Sequence, residues 1–367
     1  MKLFLSRAYC QARMIYLKML SLPGLWHIMR HIPGKLGLPR VKTVKNLKTV
    51  PFCEAAEDAI DAFFPNISKN ERIALKEDII RSWFKNRMEP DEYFFCCFRT
   101  IRDDSERSKF LSRLDKDLTL SSKTNADRKL LGNKYVFYKK FEKFFNRQVL
   151  IAPKDGKEKI VSFLSQNKKY IAKPLSGQKG RGIFIREYDG TDEGIKNEAL
   201  FLVSLEDKHI IEEIIIQDPS MASLNVDSIN TIRISSRWNS KGFSLIEAFI
   251  RIGRKGRCTD NLSGGGIAAE IDISSGRIKS KGIDNRLHFY DKHPDSGIDL
   301  QGFQIPNWQE LLDLVKEAHE NIKGYPYIAW DFALSKKGWV LVEGNWGYFI
   351  SQYFGRGARE KFLECFK

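Results

Sequence analysis

The segment "IAWDFALSKKGWVLVEGNW", residues 328–346, is the feature that most constrains the fold, because it predicts a hairpin with two facing carboxylates. Two alternating apolar runs flank Lys336, Lys337 and Gly338, which predicts a three-residue turn with glycine at the left-handed position. The expected partners across this hairpin are Ser335 with Trp339, Ala333 with Leu341, and Asp331 with Glu343. Asn345 lies two residues beyond Glu343 and so shares its face.

Directly opposed carboxylates repel each other, so a partner for Asp331 and Glu343 is needed. A divalent cation is one solution, because Asp, Glu and Asn offer the oxygen ligands that Mg²⁺ takes together with substrate phosphates. A neighbouring arginine or lysine is the other. In "SINTIRISSRW", alternation places Arg233 in mid-strand, where it can neutralise a carboxylate or bind a transferring phosphoryl group. The two roles of Arg233 are compatible.

The glycine-rich stretch "YIAKPLSGQKGRGIFIRE", residues 170–187, lies between two strand-like runs. No helix is predicted after these glycines, which excludes the two common phosphate loops that open a helix. A glycine hairpin over a nucleotide remains, as does an ordinary surface hairpin with a basic tip. The loop "TDNLSGGGIAAEID" offers a second polar, glycine-rich segment, which is either a ligand loop or a plain turn.

The order of predicted elements indicates an α+β protein of several lobes. Helical periodicity dominates up to about residue 147, and short β-rich segments separated by turns follow. We expect a helical N-terminal region at 1–124, a small lobe at 125–220 and a large lobe at 221–367.

The net charge of +15 is concentrated at the N-terminus, because residues 1–53 contain ten Lys or Arg and no Asp or Glu. Together with apolar residues near the start, this predicts attachment of residues 1–50 to an anionic membrane surface, against the alternative of a helix packed on the protein. Recognition of nucleic acid ranks last, because no recognition motif accompanies the charge. The six cysteines form no C-x-x-C pair, which favours reduced thiols and a cytoplasmic location.

A set of motifs occurs in the order expected for one family: "GNKYVFYKKF", "YIAKP", "GQKGRG", "IIEEIIIQ", "NTIRI", "DNLSGGGIA", "HPDSG", "QIPNW", "AWDFAL" and "VEGN". Together they resemble the ATP-grasp superfamily, and more narrowly its sugar-transfer-associated group, over about residues 125–350. The resemblance implies an ATP-grasp fold in which two α+β lobes enclose ATP. The helical N-terminus lies outside it.

The resemblance implies a role for each matching residue, beginning with Mg²⁺ ligation by Asp331, Glu343 and Asn345. The implied nucleotide-binding residues are Lys134 and Lys173 at the phosphates, Gly177, Gly180 and Gly182 above them, and Glu212, Glu213, Ile215 and Gln217 at the adenine and ribose. The implied catalytic residues are Arg233, Asn230 and Lys179, and the implied substrate residues are Asp260, Asn261, Ser263, Gly265 and His293. Relatives often have an acidic residue where Gln217 stands, and the aromatic run Trp346–Phe349 replaces a more open loop.

The implied activity is an ATP- and Mg²⁺-dependent ligation of a small-molecule carboxylate to an amine through an acyl phosphate, in surface polysaccharide synthesis. A sugar or lipid-linked sugar is one expected substrate. Two alternatives stay open: a kinase acting on a sugar or lipid-linked sugar, and a non-catalytic partner of a glycosyltransferase complex at the inner face of the membrane.

Overall fold

A computed structural model describes residues 38–46, 48–124, 128–175 and 182–367 of the chain. Two compact units are distinguished: the first comprises residues 1–123 and Ser351–Phe362, and the second residues 124–350 and Leu363–Lys367. The division between the two units falls between Lys123 and Thr124. The further division of the second unit into a small and a large lobe stays a prediction. Ser351–Phe362, which the sequence analysis gives to the large lobe, instead groups with the helical unit.

The helical unit is built on short amphipathic helices. Helix α2 begins at the Ser68 side chain, which accepts a hydrogen bond from the backbone N–H of Glu71 and thereby caps the first turn. A small hairpin precedes the helices, and its loop is bound by the Asp58 carboxylate through the N–H of Val44 at 2.6 Å. The elements are β1 (Arg40–Lys42), β2 (Thr49–Pro51), α1 (Phe52–Phe63), α2 (Lys69–Asn86), α3 (Pro90–Phe95), α4 (Asp104–Ser108) and α5 (Arg113–Lys123).

The C-terminal segment of the chain completes this helical unit. The side chain of Gln352 accepts a hydrogen bond from the Leu111 N–H at 2.7 Å and donates one to the Leu111 carbonyl at 3.1 Å. The ring of Tyr353 stacks on Phe95 with centroids 4.7 Å apart. Sequence periodicity does not reveal these contacts, because more than 200 residues separate the partners.

The second unit contains a small antiparallel sheet in the order β3-β6-β4-β5. Helices α8 and α9 contribute Phe163, Leu164 and Leu202 to a core that includes Tyr170 and Ile211 of the strands. The elements are α6 (Arg128–Gly132), α7 (Lys134–Phe145), β3 (Val149–Ala152), α8 (Gly156–Gln166), β4 (Lys169–Pro174), β5 (Phe184–Glu187), α9 (Asp192–Val203) and β6 (His209–Glu213).

A larger sheet in the order β11-β10-β9-β8-β7-β12-β13 forms the rest of this unit. Trp330 and Phe332 of its buried strand point to the same core as Phe137 and Phe141 of helix α7 and Leu311 of helix α11. The elements are α10 (Pro219–Ala222), β7 (Thr231–Asn239), β8 (Gly242–Ile252), β9 (Ile267–Ile271), β10 (Gly282–Ile283), β11 (Phe289–Tyr290), α11 (Trp308–Glu320), β12 (Tyr327–Ser335) and β13 (Gly338–Asn345). The last helix, α12 (Arg359–Leu363), lies mainly in the segment that groups with the helical unit.

The prediction of an α+β fold with antiparallel hairpins is confirmed, because every pairing between the described strands is antiparallel. In the larger sheet, side chains of β12 alternate between the helix-covered core and the opposite face. Asp331 and its cross-strand partners Arg233 and Glu343 lie on that opposite face. Among the described residues, no helix has the length and apolar character needed to cross a bilayer.

Candidate functional site

The β12–β13 hairpin brings Asp331 opposite Glu343, as the sequence predicts. The turn differs from the prediction: Ser335 pairs with Gly338, so only Lys336 and Lys337 connect the strands, and the predicted Ser335–Trp339 and Ala333–Leu341 pairs are wrong by one residue. A bulge between Asp331 and Phe332 restores the expected register beyond it, because Val342 has no partner on β12.

Arginine side chains surround the Asp331 carboxylate, which is fully buried. Arg233 donates from Nε to Oδ1 and from Nη2 to Oδ2, both at 2.6 Å, and Arg251 donates from Nη2 to Oδ2 at 3.0 Å. Burial by itself would raise the pKa of Asp331, but the two guanidinium groups outweigh that effect and lower it. Asp331 is therefore ionised.

Glu343 is the accessible carboxylate of the pair, with 45% of its side chain exposed. Desolvation and the negative charge of Asp331 raise its pKa, and Arg233 Nη2 lies 3.9 Å from its Oε1. The Oδ1 atom of Asn345, two residues further along β13, accepts the Gly347 N–H at 2.7 Å. A carboxylate whose ionisation is opposed by a like charge is a favourable position for a cation.

Arg251 is a buried site residue that the sequence analysis missed. It donates to Thr231 Oγ1 at 2.7 Å from Nη2 and lies 3.5 Å from an oxygen of Asp260. Arg251 thus connects the Asp331 carboxylate to the start of the "DNLSGGG" loop. The alternation of "AFIRIG" was the available signal, since it places Arg251 on the same face as its cross-strand partner Thr231.

The "DNLSGGG" loop places Asp260 in the site, and the N–H groups of its three glycines bond to carbonyls within the loop. Asp260 is buried and accepts from the backbone N–H and the hydroxyl of Thr231. Burial raises the pKa of Asp260, and Arg251 opposes that effect. The N–H groups of Gly264 and Gly266 both bond to the Asn261 carbonyl, at 2.9 and 3.1 Å, and the N–H of Gly265 bonds to Leu262.

The remaining predicted substrate residues of this loop differ in their exposure. Asn261 is partly buried, and its Oδ1 lies 3.5 Å from Nη1 of Arg251. Ser263 is exposed. The N–H of Gly265 is used within the loop, and its implied place at the substrate stays a prediction.

Two lysines lie near the carboxylates of Glu212 and Glu343. Lys173 is on the small sheet, and Lys134 is the first residue of helix α7. Lys173 donates to Glu212 Oε1 at 2.9 Å, and Arg147 binds the other oxygen of Glu212 at 2.6 Å. Burial lowers the pKa of Lys134, the attraction of Glu343 raises it, and the charge of Lys173 lowers it further. Glu343 and Lys173 thus both act on the charge of Lys134, with opposite effects.

The segment after strand β6 connects the small sheet to the large one. Glu213 lies at the end of β6 and Lys337 Nζ is 3.2 Å from its Oε1. Ile215 follows, and the backbone then bonds to the β12–β13 turn through the Ile216 carbonyl and the Lys336 N–H at 2.9 Å. This is the segment for which the sequence predicts contact with adenine.

Gln217, Asn230 and His293 bond mainly to backbone groups. Gln217 donates to two carbonyls of the 225–228 loop at 3.2 and 3.3 Å, and accepts the Asn230 N–H at 2.6 Å. Asn230 is buried, donates to two carbonyls and accepts the Gly253 N–H at 3.3 Å. His293 is also buried and contacts the Gly253 carbonyl at 2.9 Å. These contacts support structural roles for all three residues.

The predicted phosphate loop is described only at its end. Gly177, Lys179 and Gly180 lie outside the described residues. Gly182 has a φ of +72°, and a Cβ there would lie 2.9 Å from Pro174 Cγ, so a side chain at this position meets both backbone strain and a steric contact.

The comparison with known families identifies the class of protein. The profile of the sugar-transfer associated ATP-grasp family matches residues 114–359. The chain therefore belongs to this family, and the family predicted from the ordered motifs is confirmed. No curated protein was found to match the chain.

Several solved ATP-grasp structures are similar to the chain. The D-alanyl-alanine synthetase A from Vibrio cholerae has 12% identity and a TM-score of 0.39, with 65% of this chain and 64% of that chain covered. The N5-carboxyaminoimidazole synthase from Aspergillus clavatus, in complex with ADP and 5-aminoimidazole ribonucleotide, has 8% identity and a TM-score of 0.40, with 71% and 63% covered. The chain spans between 42% and 66% of the length of the solved structures it matches.

Proposed function

We propose that the chain is an ATP- and Mg²⁺-dependent ligase that joins a carboxylate to an amine. The observation that carries this proposal is the Asp331–Glu343 pair, with Arg233 bound to it and Lys134 and Lys173 nearby. Carboxylates for a cation, lysines for phosphates and a buried arginine are the components that phosphoryl transfer from ATP requires.

The donor set fits Mg²⁺. Glu343, Asp331 and Asn345 provide oxygen atoms on one sheet face, and Mg²⁺ commonly binds one or two carboxylates and completes its shell with water and phosphate oxygens. The described residues contain no cluster of three His, Cys, Asp or Glu side chains able to hold a metal ion. When bound, the cation would neutralise charge on the phosphates.

The protein residues would then act as follows. Lys134 and Lys173 bind phosphate oxygens, and the backbone around Ile215 meets the adenine edge. Arg233 stabilises the negative charge of the phosphoryl group as it passes to the acid substrate. The substrate carboxylate oxygen bonds to the γ-phosphorus, the bond to ADP breaks, and the amine nitrogen then attacks the acyl carbon and releases phosphate.

The acceptor side of the site is proposed at Arg251 and Asp260. Arg251 lies beside Asp331 and contacts Asp260, the first residue of the "DNLSGGG" loop. Asn261 and Ser263 follow in the same loop. The family description, sugar-transfer associated, supports a sugar or lipid-linked sugar as one substrate, and surface polysaccharide synthesis as the process.

The metal assignment is tested with Glu343→Gln. In the wild-type chain, Mg²⁺ should increase ATP affinity, measured by isothermal titration calorimetry. Glu343→Gln should lose at least about tenfold of that increase, equivalent to about 1.4 kcal/mol. The matched control is Glu320→Gln. It removes an exposed carboxylate at the end of helix α11, where Glu320 pairs with Lys323. An unchanged Mg²⁺ dependence in Glu343→Gln would show that the metal assignment is wrong.

The reaction class is tested by a product screen with sets of acids, amines and sugars. A ligase releases ADP and phosphate only when an acid and an amine are both present. Formation of ADP with a phosphorylated sugar, and without free phosphate, would identify a kinase instead. Absence of any turnover, with ATP binding intact, would favour a non-catalytic partner.

Cytoplasmic location with membrane attachment through the basic N-terminus is proposed from sequence, since residues 1–37 lie outside the described residues. The structure refines the deletion that tests it. Residues 40–51 form β1 and β2, and this hairpin is bound to helix α1 through Asp58. A deletion of residues 1–37 therefore tests vesicle binding without removing the hairpin. The wider deletion of 1–50 would remove part of the folded unit.

A further inference from the structure

We propose that Arg233 and the divalent cation are alternative partners of Asp331, so that cation binding turns the Arg233 guanidinium away from Asp331 and makes it available to phosphate oxygens. This inference rests on the proposed function in one respect, the assignment of Glu343 as a cation ligand. It adds an exchange of partners within the buried cluster formed by Asp331, Arg233 and Arg251.

Asp331 accepts nearly as many hydrogen bonds as an ionised carboxylate can. Its two oxygens receive three arginine N–H bonds, at 2.6, 2.6 and 3.0 Å. An ionised carboxylate has about four lone-pair sites, and the bidentate Arg233 covers the edge between the two oxygens. A magnesium ion lies about 2.1 Å from its oxygen ligands. At that distance the cation would meet the positive charge of Arg233, so the two partners compete.

Asp331 keeps a cationic protein partner when Arg233 moves. Arg251 donates to the same carboxylate and is itself bound by Thr231 at 2.7 Å. A buried carboxylate with no cationic partner would be strongly destabilising. Arg251 removes that obstacle, which gives a physical reason for two arginines around one aspartate.

Arg233 has other partners within reach. Its Nη2 already lies 3.9 Å from Glu343, and its Cζ lies 5.9 and 5.7 Å from the ring centres of Phe249 and Tyr348. A guanidinium that leaves Asp331 therefore retains favourable aromatic contacts. The side chain need not return to solvent.

The charge balance gives the exchange a direction. Asp331, Asp260 and Glu343 contribute three formal negative charges, and Arg233 and Arg251 two positive ones. The cluster changes from a formal −1 to +1 when a divalent cation enters, which favours an anionic phosphate. Cation and phosphate binding should consequently reinforce each other, and this coupling is reciprocal.

The test uses Mn²⁺ as a spectroscopic probe, with free Mn²⁺ measured by electron paramagnetic resonance in the absence of nucleotide. Arg233→Lys keeps the positive charge but replaces a two-point contact with a single donor group. We expect Arg233→Lys to bind Mn²⁺ about tenfold more tightly than wild type, the change expected for one lost charged hydrogen bond. If Arg233 acted only through its positive charge, Arg233→Lys would leave the Mn²⁺ affinity unchanged.

A double-mutant cycle separates competition from other causes. In an Asp331→Asn background, Arg233→Lys should give no further gain, because the contested carboxylate is absent. An unchanged or weaker affinity in Arg233→Lys, or a gain that persists with Asn at position 331, would overturn the exchange. Arg254→Lys is the matched control, because Arg254 forms a similar two-point contact with Asp295 away from Asp331.

Two further measurements keep the result interpretable. Glu343→Gln should lose Mn²⁺ binding; wild-type affinity in that variant would overturn the metal site itself and with it the exchange. A second measurement uses nuclear magnetic resonance on the wild-type chain, where Mg²⁺ should shift the Nε–H resonance of Arg233. That resonance is identified by its absence from the spectrum of Arg233→Lys. In Asp331→Asn, the same resonance should not respond to Mg²⁺. Arginine resonances that do not respond to Mg²⁺ would also overturn the exchange.

Discussion

Glu212→Gln is the substitution whose effect on stability follows most directly from the structure. Glu212 is almost fully buried on the small sheet, and one carboxylate serves two cations. Lys173 Nζ lies 2.9 Å from Oε1, and Arg147 Nη2 lies 2.6 Å from Oε2. The glutamine keeps the size of the side chain but leaves two cations with no negative partner in this position.

The magnitude follows from the pKa of Glu212. Burial alone would raise this pKa, but Arg147 and Lys173 lower it from 4.5 to about 2. This lowering corresponds to about 3 kcal/mol of stability. Breaking a buried pair by removing one partner costs about 3–5 kcal/mol in other proteins, which agrees with this value.

The sign of the pH dependence is fixed by the direction of the shift. Because the folded-state pKa is the lower one, the stabilisation is complete above the unfolded pKa of 4.5 and is lost as the pH falls toward 2. The difference in unfolding free energy between wild type and Glu212→Gln should be about 3 kcal/mol at pH 7 and about 2 kcal/mol at pH 3.5.

Urea unfolding followed by circular dichroism measures this difference. The matched control is Glu187→Gln on the same sheet, where the Lys169–Glu187 pair is 2.9 Å long and both side chains are at least half exposed. This control should cost less than about 1 kcal/mol. Equal losses in the two variants, or a Glu212→Gln difference that is as large at pH 3.5 as at pH 7, would refute the argument.

Two further predictions concern the large sheet and its loop. Burial lowers the pKa of His319 to about 4. The free energy of unfolding of the wild-type chain should therefore fall by about 2 kcal/mol between pH 7 and pH 5, because the histidine takes up a proton in the unfolded state. Urea unfolding of His319→Gln should not show this fall, and an equal fall in that variant would contradict the burial of His319. At Gly266, a Cβ would lie 2.4 Å from the backbone carbonyl oxygen of Asp260. Gly266→Ala should therefore destabilise the chain by about 1–3 kcal/mol, while Gly264→Ala, whose nearest neighbour is 3.7 Å away, should change the melting temperature less; the reverse order would be evidence against this account.

The family and the α+β fold could be predicted because their signals are local or ordered along the chain. Alternation identifies the strands, and the motifs from "GNKYVFYKKF" to "VEGN" occur in a fixed order. The pairing of Asp331 with Glu343 was also predicted, although the turn was not. A three-residue turn without a bulge and a two-residue turn with a bulge at Val342 give the same pairing there.

The partners of buried polar groups could not be predicted, because they depend on neighbours distant in sequence. Arg251 reaches Asp331 across 80 residues, and Glu212 reaches Arg147 across 65. Sequence patterns place such side chains on a face but do not choose among several partners of opposite charge. Asn230, whose catalytic role the family resemblance implies, donates to the backbone carbonyls of Met221 and Asn225, and that role stays a prediction.

The way the small sheet is joined to the large one limits how the two can move. Two backbone segments run side by side at this junction, since the N–H of Glu213 bonds to the Gln148 carbonyl at 2.9 Å. On one of them, the backbone is hydrogen-bonded up to Glu213 and again from Ile216, where it bonds to the turn of the large sheet at Lys336. Between these two hydrogen bonds the segment contains only Ile214 and Ile215, whose backbone angles set the angle between the sheets on that segment. This short span places the end of β6 next to the β12–β13 turn, which leads into the strand that carries Glu343.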